Sequence, residues 1–241
     1  QKVADLLIGK GSNINLKNDA GDAPIHRCVK NNNLKMLKYL LQKGADPNVV
    51  NNAGKTLIME LAQMDVPSKK AKARNEIKKA SQIIKILKEY NANLNSLNTY
   101  GDFALNMARK KNNLDLMKEL VENGADINAK DKNGNTVFKK AVLDYIFDYV
   151  YTDKRSTDMK KILTQLIKWG AKIDVQDKNG RTALIDAVGN ANKKNIKKVV
   201  DIAEFLLKNG ANKNLADSKG LTAVNYAEKS GVSEISSILM R

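Results

Sequence analysis

One histidine, His26, and one cysteine, Cys28, set a narrow limit on the chemistry of this 241-residue chain. A lone imidazole cannot build a multi-histidine metal centre, and a lone thiol cannot close an internal disulfide. Neither has the partner groups that activating a nucleophile requires. Asp46, Asn48, Asp126, Asn128, Asp131 and Asp177 offer oxygens for a calcium site or a carboxylate pair. Each lies near a turn glycine, however, where Asp and Asn side chains satisfy their own backbone donors. No EF-hand loop, phosphate-binding glycine loop or zinc spacing occurs. The expectation is a protein that is not an enzyme and that carries no cofactor or metal.

Charge is the second source of chemistry. The formal net charge is +16, from 36 Lys, 6 Arg and 26 acidic residues, alongside 29 Asn. Such a surface favours acidic proteins, anionic membranes or nucleic acid. Two clusters stand out: Lys69, Lys70, Lys72, Arg74, Lys78 and Lys79 around one Glu76, and Lys193, Lys194, Lys197 and Lys198. They could hold a polyanion. Against this, lysine lacks the planar fork that suits arginine to phosphate. A third stretch also balances Lys154, Arg155, Lys160 and Lys161 with Asp144, Asp148, Asp153 and Asp158. A solvated lysine face is the simpler reading. Aromatic residues gather at Tyr145, Phe147, Tyr149 and Tyr151. Tyr145 and Tyr149 share an apolar stripe and are expected in the packing, whereas Phe147 and Tyr151 lie on another face, either packed against a long neighbouring helix, the simpler reading, or as candidate interface anchors.

The elements that position these residues repeat. The stretch from Asn123 to Thr136 returns in part at Gly44 to Asn48, Asn91 to Asn95, Gly170 to Asp174 and Gly210 to Asn214, and more weakly at Gly11 to Asn15. Turn glycines Gly21, Gly54, Gly101, Gly134, Gly180 and Gly220 are 33, 47, 33, 46 and 40 residues apart, and the helix-closing positions from Gly11 to Gly210 give the same spacings. Between them, Leu34, Leu37, Leu40 and Leu41 recur at three and four residues, the pattern of a helix with one buried face. Glycine then supplies the left-handed residue that closes a helix, a role Asn91 can also fill.

Ala23-Pro24-Ile25-His26, followed by Leu40-Leu41 and Gly44-Ala45-Asp46-Pro47-Asn48, resembles the ankyrin-repeat pattern of turn, helix, helix and finger with a period of about 33 residues. The resemblance implies an all-α ankyrin-repeat solenoid of helix-turn-helix units with β-hairpin or loop fingers, with about five full and two partial repeats. The expected boundaries are a partial repeat at 1–18, repeats at 19–50, 51–97, 98–130, 131–176 and 177–216, and a C-terminal cap at 217–241, all in one domain. Longer spacings place insertions of 14, 13 and 7 residues between the two helices of repeats two, four and five. In repeat two a helix from about Lys69 to Glu89 would be roughly 30 Å long. In repeat four, Val142 to Val150 extend the first helix and Asp153 to Ser156 form a reversal. In repeat five, Ile196 to Ala203 extend the second helix. The insertions are expected to share an edge and pack on one another.

By the same resemblance, His26 bonds to backbone in the turn framework and Cys28 is a buried, inert thiol. The family's variable contact positions fall on Lys55, Tyr100, Asp102, Lys132, Asn135, Arg181 and Leu221 near the finger tips, and on Arg27, Glu60, Met107, Lys140, Asp186 and Tyr226 along the first helices. The implied function is a protein-interaction module whose groove suits a protein or peptide with acidic and apolar features. The alternative is polyanion binding, to nucleic acid or acidic lipid, along the insertion edge. No apolar run approaches the roughly 20 residues that span a bilayer, so the chain is expected to be soluble, cytoplasmic in preference to periplasmic or secreted, and monomeric. Gln1 to Leu7 read as the middle of a helix whose start lies upstream.

Overall fold

The computed structural model describes residues 2–64, 70–147, 153–230 and 233–240. They form two compact units, Gln1–Asp126 and Ile127–Arg241. Thirteen α-helices are present among the described residues.

The first unit begins with α1 (Lys2–Gly9). Three helix pairs follow: α2 (Pro24–Lys30) with α3 (Leu34–Gln42), α4 (Leu57–Ala62) with α5 (Lys70–Glu89), and α6 (Ala104–Lys110) with α7 (Leu114–Glu122). The short first helices pack side by side, α2 on α4 and α4 on α6. Their buried residues include Ile25, Val29, Leu57, Ile58, Leu61, Leu105 and Ala108. Local signals start each helix. Pro24 stands at the first position of α2, where its missing N–H costs little. Asn33 and Asn113 accept from the Met36 and Leu116 amides to cap α3 and α7, satisfying donors that a helix start leaves unpaired.

The 20-residue α5 is the expected extension of repeat two. At 1.5 Å per residue it is about 30 Å long, roughly twice the nine-residue α3. Its fully buried side chains, Ala80, Ile83, Ile84 and Leu87, all lie in the C-terminal half, while Lys72, Arg74 and Lys78 are exposed.

The second unit pairs α8 (Val137–Phe147) with α9 (Asp153–Lys168), α10 (Ala183–Gly189) with α11 (Ile196–Lys208), and α12 (Ala223–Ser230) with α13 (Ser233–Met240). α10 packs between α8 and α12, and α11 touches both α8 and α13. One expectation needs correction: Asp153 to Ser156 do not form a reversal but open α9. An acidic residue at a helix start suits the positive end of its dipole. Any reversal, together with Tyr149 and Val150, falls outside the described residues.

The fingers between helix pairs are turns rather than ladders. Among the described residues the only β-bridge is the isolated pair Ala216 and Thr222. In place of a ladder, one side-chain oxygen organises each finger. Asn51 Oδ1 accepts the amides of Ala53 and Lys55 at 3.0 and 3.1 Å, and Asn98, Asp131, Asp177 and Asp217 do the same at the equivalent positions. Neighbouring fingers abut so closely that only glycine fits. A Cβ on Gly21 would lie 2.4 Å from the Asn52 amide nitrogen, and one on Gly54 2.7 Å from that of Thr99. Both glycines also sit at positive φ, which other residues rarely adopt.

Asparagine also joins successive fingers. Asn48 accepts from the Asn93 amide at 2.7 Å and donates to the Asn91 carbonyl at 3.2 Å. Asn128 repeats both bonds with Lys172 and Gly170. Asp174 takes this place in repeat four. Its Oδ2 accepts from the Asn212 amide, while its buried Oδ1 has no partner.

Candidate partner-binding surface

In the first unit, the first helices and finger tips carry Arg27, Lys55, Glu60, Tyr100, Asp102 and Met107. Arg27 and Tyr100 are exposed, but Met107 lies on the buried face of α6 and presents almost no surface. The charges along this surface are largely paired, mostly within one repeat. Lys30 Nζ lies 2.6 Å from Asp22 and 3.8 Å from Glu60, while Asn51 donates to Glu60 at 2.8 Å. Lys55 donates to Gln63 at 2.7 Å. Asp102 accepts from Asn106 at 2.6 Å and Lys110 at 2.7 Å. Burial pushes the Asp22 carboxyl up, but the bonds from Lys30 and Asn51 outweigh it and its pKa falls below the usual value.

His26 is fully buried. Its Nδ1 accepts from the Ala23 amide at 3.1 Å, as the family resemblance implies, and Nε2 faces the Lys55 carbonyl at 3.5 Å. Burial lowers its pKa and so favours the neutral ring. Burial likewise pushes the Cys28 thiol up to about 11, which leaves it unreactive at neutral pH.

In the second unit the positions are Lys132, Asn135, Lys140, Arg181, Asp186, Leu221 and Tyr226. Lys132 is exposed, and Asn135 and Leu221 are half-buried. Lys140 is held by Asp131 at 2.7 Å. Arg181 and Asp186 belong to a network with a residue that the sequence reading did not single out. Lys139 occupies the place of His26, as Thr136-Val137-Phe138-Lys139 aligned with Ala23-Pro24-Ile25-His26 could have disclosed. Its side chain is only 2% exposed, and Nζ bonds Asp177 Oδ2 and Asp186 Oδ2, both at 2.7 Å, and the Arg181 carbonyl at 2.6 Å. The three bonds match the three donors of an ammonium group. They join α8 to the finger and first helix of the next repeat.

Arg181 Nε lies 2.8 Å from Asp186 Oδ1, yet the N–H is not aligned for a hydrogen bond, so the contact is one of charge. The guanidinium also stacks 4.9 Å from the Tyr226 ring centre, and Tyr226 donates to Asp217 at 2.7 Å. Three of the expected contact residues in this unit, Arg181, Asp186 and Tyr226, are therefore already engaged in joining repeats, and Lys140 is paired within its own repeat.

At the insertions, Lys193, Lys194 and Lys197 are exposed and Lys198 half-buried around the start of α11. Lys69 and Tyr151 lie outside the described residues, as does the side chain of Lys70. Phe147 is partly exposed at the end of α8. Tyr145 is buried and donates to Asp201 on α11, which also pairs with Lys160 on α9. The extensions of repeats four and five are thus joined through one carboxylate. Burial first, then the Asp201 bond and charge, raises the Tyr145 pKa. No group of three or more His, Cys, Asp or Glu placed to hold a metal occurs among the described residues. None of the described helices is long and apolar enough to cross a membrane.

Stacked pairs of short antiparallel helices joined by turn-built fingers define a class of non-globular repeat proteins, the solenoids. Family models described as ankyrin repeats match residues 1–67 and 154–241 (three copies) and 86–141 (many copies). The chain belongs to the ankyrin-repeat family.

A putative ankyrin repeat protein, L86, of Acanthamoeba polyphaga mimivirus is 36% identical over 202 residues, covering 79% of this chain and 32% of the relative. Another, FPV230 of fowlpox virus, is 31% identical over 165 residues, covering 60% of this chain and 87% of the relative. The chain thus spans only about a third of the mimivirus protein but most of the fowlpox one. Among solved structures, the ankyrin repeat domain of Bcl-3, described as a unique member of the IkappaB protein family, superposes with a TM-score of 0.72 over 100% of this chain and 91% of that one, at 21% identity. The ankyrin repeat protein EF0377 gives 0.61 over 93% and 99%, at 24% identity. These structural likenesses concern the fold. Ankyrin repeats generally mediate protein–protein interaction.

Proposed function

We propose that this chain is a non-catalytic scaffold that binds a protein partner through the finger tips and first helices of its repeats. The observation that carries this reading is the exposed set Arg27, Tyr100 and Lys132 on fingers and helices held by dense side-chain-to-backbone bonding. Side chains ordered before binding reduce the entropy lost on association. The test is affinity capture with Arg27→Glu, Tyr100→Ser and Lys132→Glu combined, since all three are exposed and outside the repeat-joining network. Partners captured by the parent chain should be lost. Retention of the same partners by the triple variant, with their loss on deleting the insertions, would overturn the reading.

A second reading, polyanion binding at the insertions, is favoured by one observation. α5 and α11 each begin without an acidic residue in the first turn, and Asn195 makes no side-chain cap to α11. Cations at the positive end of a helix dipole oppose stability by about 0.3–1 kcal/mol each, so a bound anion would offset that cost. This reading predicts association with duplex DNA or anionic vesicles that weakens steeply with salt. No binding at low salt would remove it.

A further inference from the structure

The fingers of the two units differ in chemistry at matching positions. Two residues past the asparagines that join fingers, Asn15, Asn48 and Asn95, the first unit carries Lys17, then Val50 and Leu97, where the second has Lys130 and, past Asp174, Gln176. Directly before the turn glycine, the first unit carries Ala20, Ala53 and Tyr100, where the second has Asn133, Asn179 and Lys219. The apolar set is not packed away: Val50 is 36% exposed, Leu97 42% and Tyr100 71%. Nor is it scattered. Asn52 donates to the Ala20 carbonyl at 3.2 Å, and both the amide and hydroxyl of Thr99 donate to that of Ala53 at 3.4 and 2.9 Å. These bonds hold the tips side by side. An apolar row therefore runs from finger to finger across one polar, lysine-rich unit.

The surroundings of the row select its occupant. The carboxylates of the adjoining helices are spoken for: Asp22 by Lys30, Glu60 by Asn51 and Asp102 by Lys110. Lys17 on the preceding finger and Arg27 on α2 are exposed, as is Asp19 directly before Ala20. A ligand here meets apolar side chains with the exposed cations Lys17 and Arg27 in the same unit and Asp19 at the first tip. The repeat geometry sets its spacing. Packed helices lie about 8–10 Å apart, so one apolar side chain per finger requires anchors at about that separation. A β-strand places residues i and i+3 on opposite faces, whereas a polyproline II segment returns to the same face every three residues, or about 9 Å.

Building on the partner-binding role above, we infer that the fingers of the first unit bind an extended, polyproline II-like peptide segment with apolar residues at i and i+3 and acidic residues beside them. Val50 and Leu97 with Tyr100 each contact one anchor, and Arg27 meets an acidic flank.

The test is fluorescence anisotropy with labelled 12-residue synthetic peptides. One carries Leu at i and i+3 with proline between them and Asp flanks. Controls place the two Leu at i and i+2, place them at i and i+7 in a helix-forming background, or replace both with Ser. The i, i+3 peptide should bind at least tenfold tighter than every control. A Leu97→Ser/Tyr100→Ser variant, whose unchanged melting temperature reports an intact fold, should lose at least tenfold. Equal affinity for all spacings, preference for i, i+7, or indifference to the double variant would each overturn the inference. If Arg27→Glu abolishes peptide binding while the double variant does not, the partner-binding role stands and this inference alone falls. If neither variant alters binding, both fall.

Discussion

At the scale of single residues, the joints between repeats are held by polar side chains whose identity varies along the chain. His26, Asn106 and Lys139 occupy one position in three repeats and are all buried, but each engages different partners. The lysine is the most consequential, because a buried ammonium bonded to two carboxylates cannot lose one side alone. Replacing Lys139 with Ala leaves Asp177 and Asp186 facing each other with only the Arg181 guanidinium beside Asp186, and should cost about 3–5 kcal/mol in urea unfolding. Adding Asp177→Asn and Asp186→Asn should recover part of that loss. Asp174 offers the opposite case. Asn48 and Asn128 each donate to the helix-closing carbonyl of the next repeat, and Asp174 cannot. Asp174→Asn supplies the missing donor in the register of Gly210, and should raise stability by about 1 kcal/mol in the same assay. Neither effect was legible from the sequence pattern alone. Lys139 resembled one more surface lysine among 36, and an Asp in an Asx-rich turn looks as satisfied as an Asn.

At the scale of elements, the helices and their extensions were largely legible. Apolar spacing identifies a buried face wherever the helix packs, and in-phase glycines mark the turns between helix pairs. The long α5 followed from the 47-residue spacing and the stripe Ile77, Ala80, Ile84, Leu87. The opening of α9 was missed because a cluster of Asp, Lys, Arg and Ser reads equally well as a loop or as a polar first helical turn. Of the contact positions, the pattern identified which residues lie near the fingers but not which are already paired. Pairing depends on a partner 8 to 38 residues distant, such as Lys110 with Asp102 or Lys139 with Asp177. The lopsided burial of α5 gives an element-scale prediction. Only its C-terminal half carries fully buried side chains, so local opening of the N-terminal turns frees the backbone at the already exposed Lys72, Arg74 and Lys78 without unpacking the core. Limited trypsin treatment should cut there first, and circular dichroism of the nicked protein should retain most of its helical signal. A first cut within α3 or α7 would contradict this.

At the scale of the whole molecule, acid should act in two steps. His26 has a lowered pKa in the folded chain, so its contribution is full above about 6.5, the value when unfolded, and is lost as pH falls through the folded value. Asp22, Asp131, Asp177 and Asp217 are also lowered. Their contribution is full above about 3.9 and is lost as pH falls further. Melting temperature should therefore decline shallowly below neutrality and steeply in strong acid. His26→Asn, which keeps an acceptor and matches Asn106, should remove the first decline and spare the second. The turn-built fingers carry a further consequence, for amide hydrogen exchange. With hardly any β-bridging, these segments would ordinarily exchange like loops, yet one Asn or Asp oxygen in each holds two amides, such as those of Ala53 and Lys55 or Asn133 and Asn135. Slow exchange should therefore appear as pairs two residues apart, recurring with the repeat. Changing Asn51 to Ala should release both amides of one pair together and leave the other pairs slow.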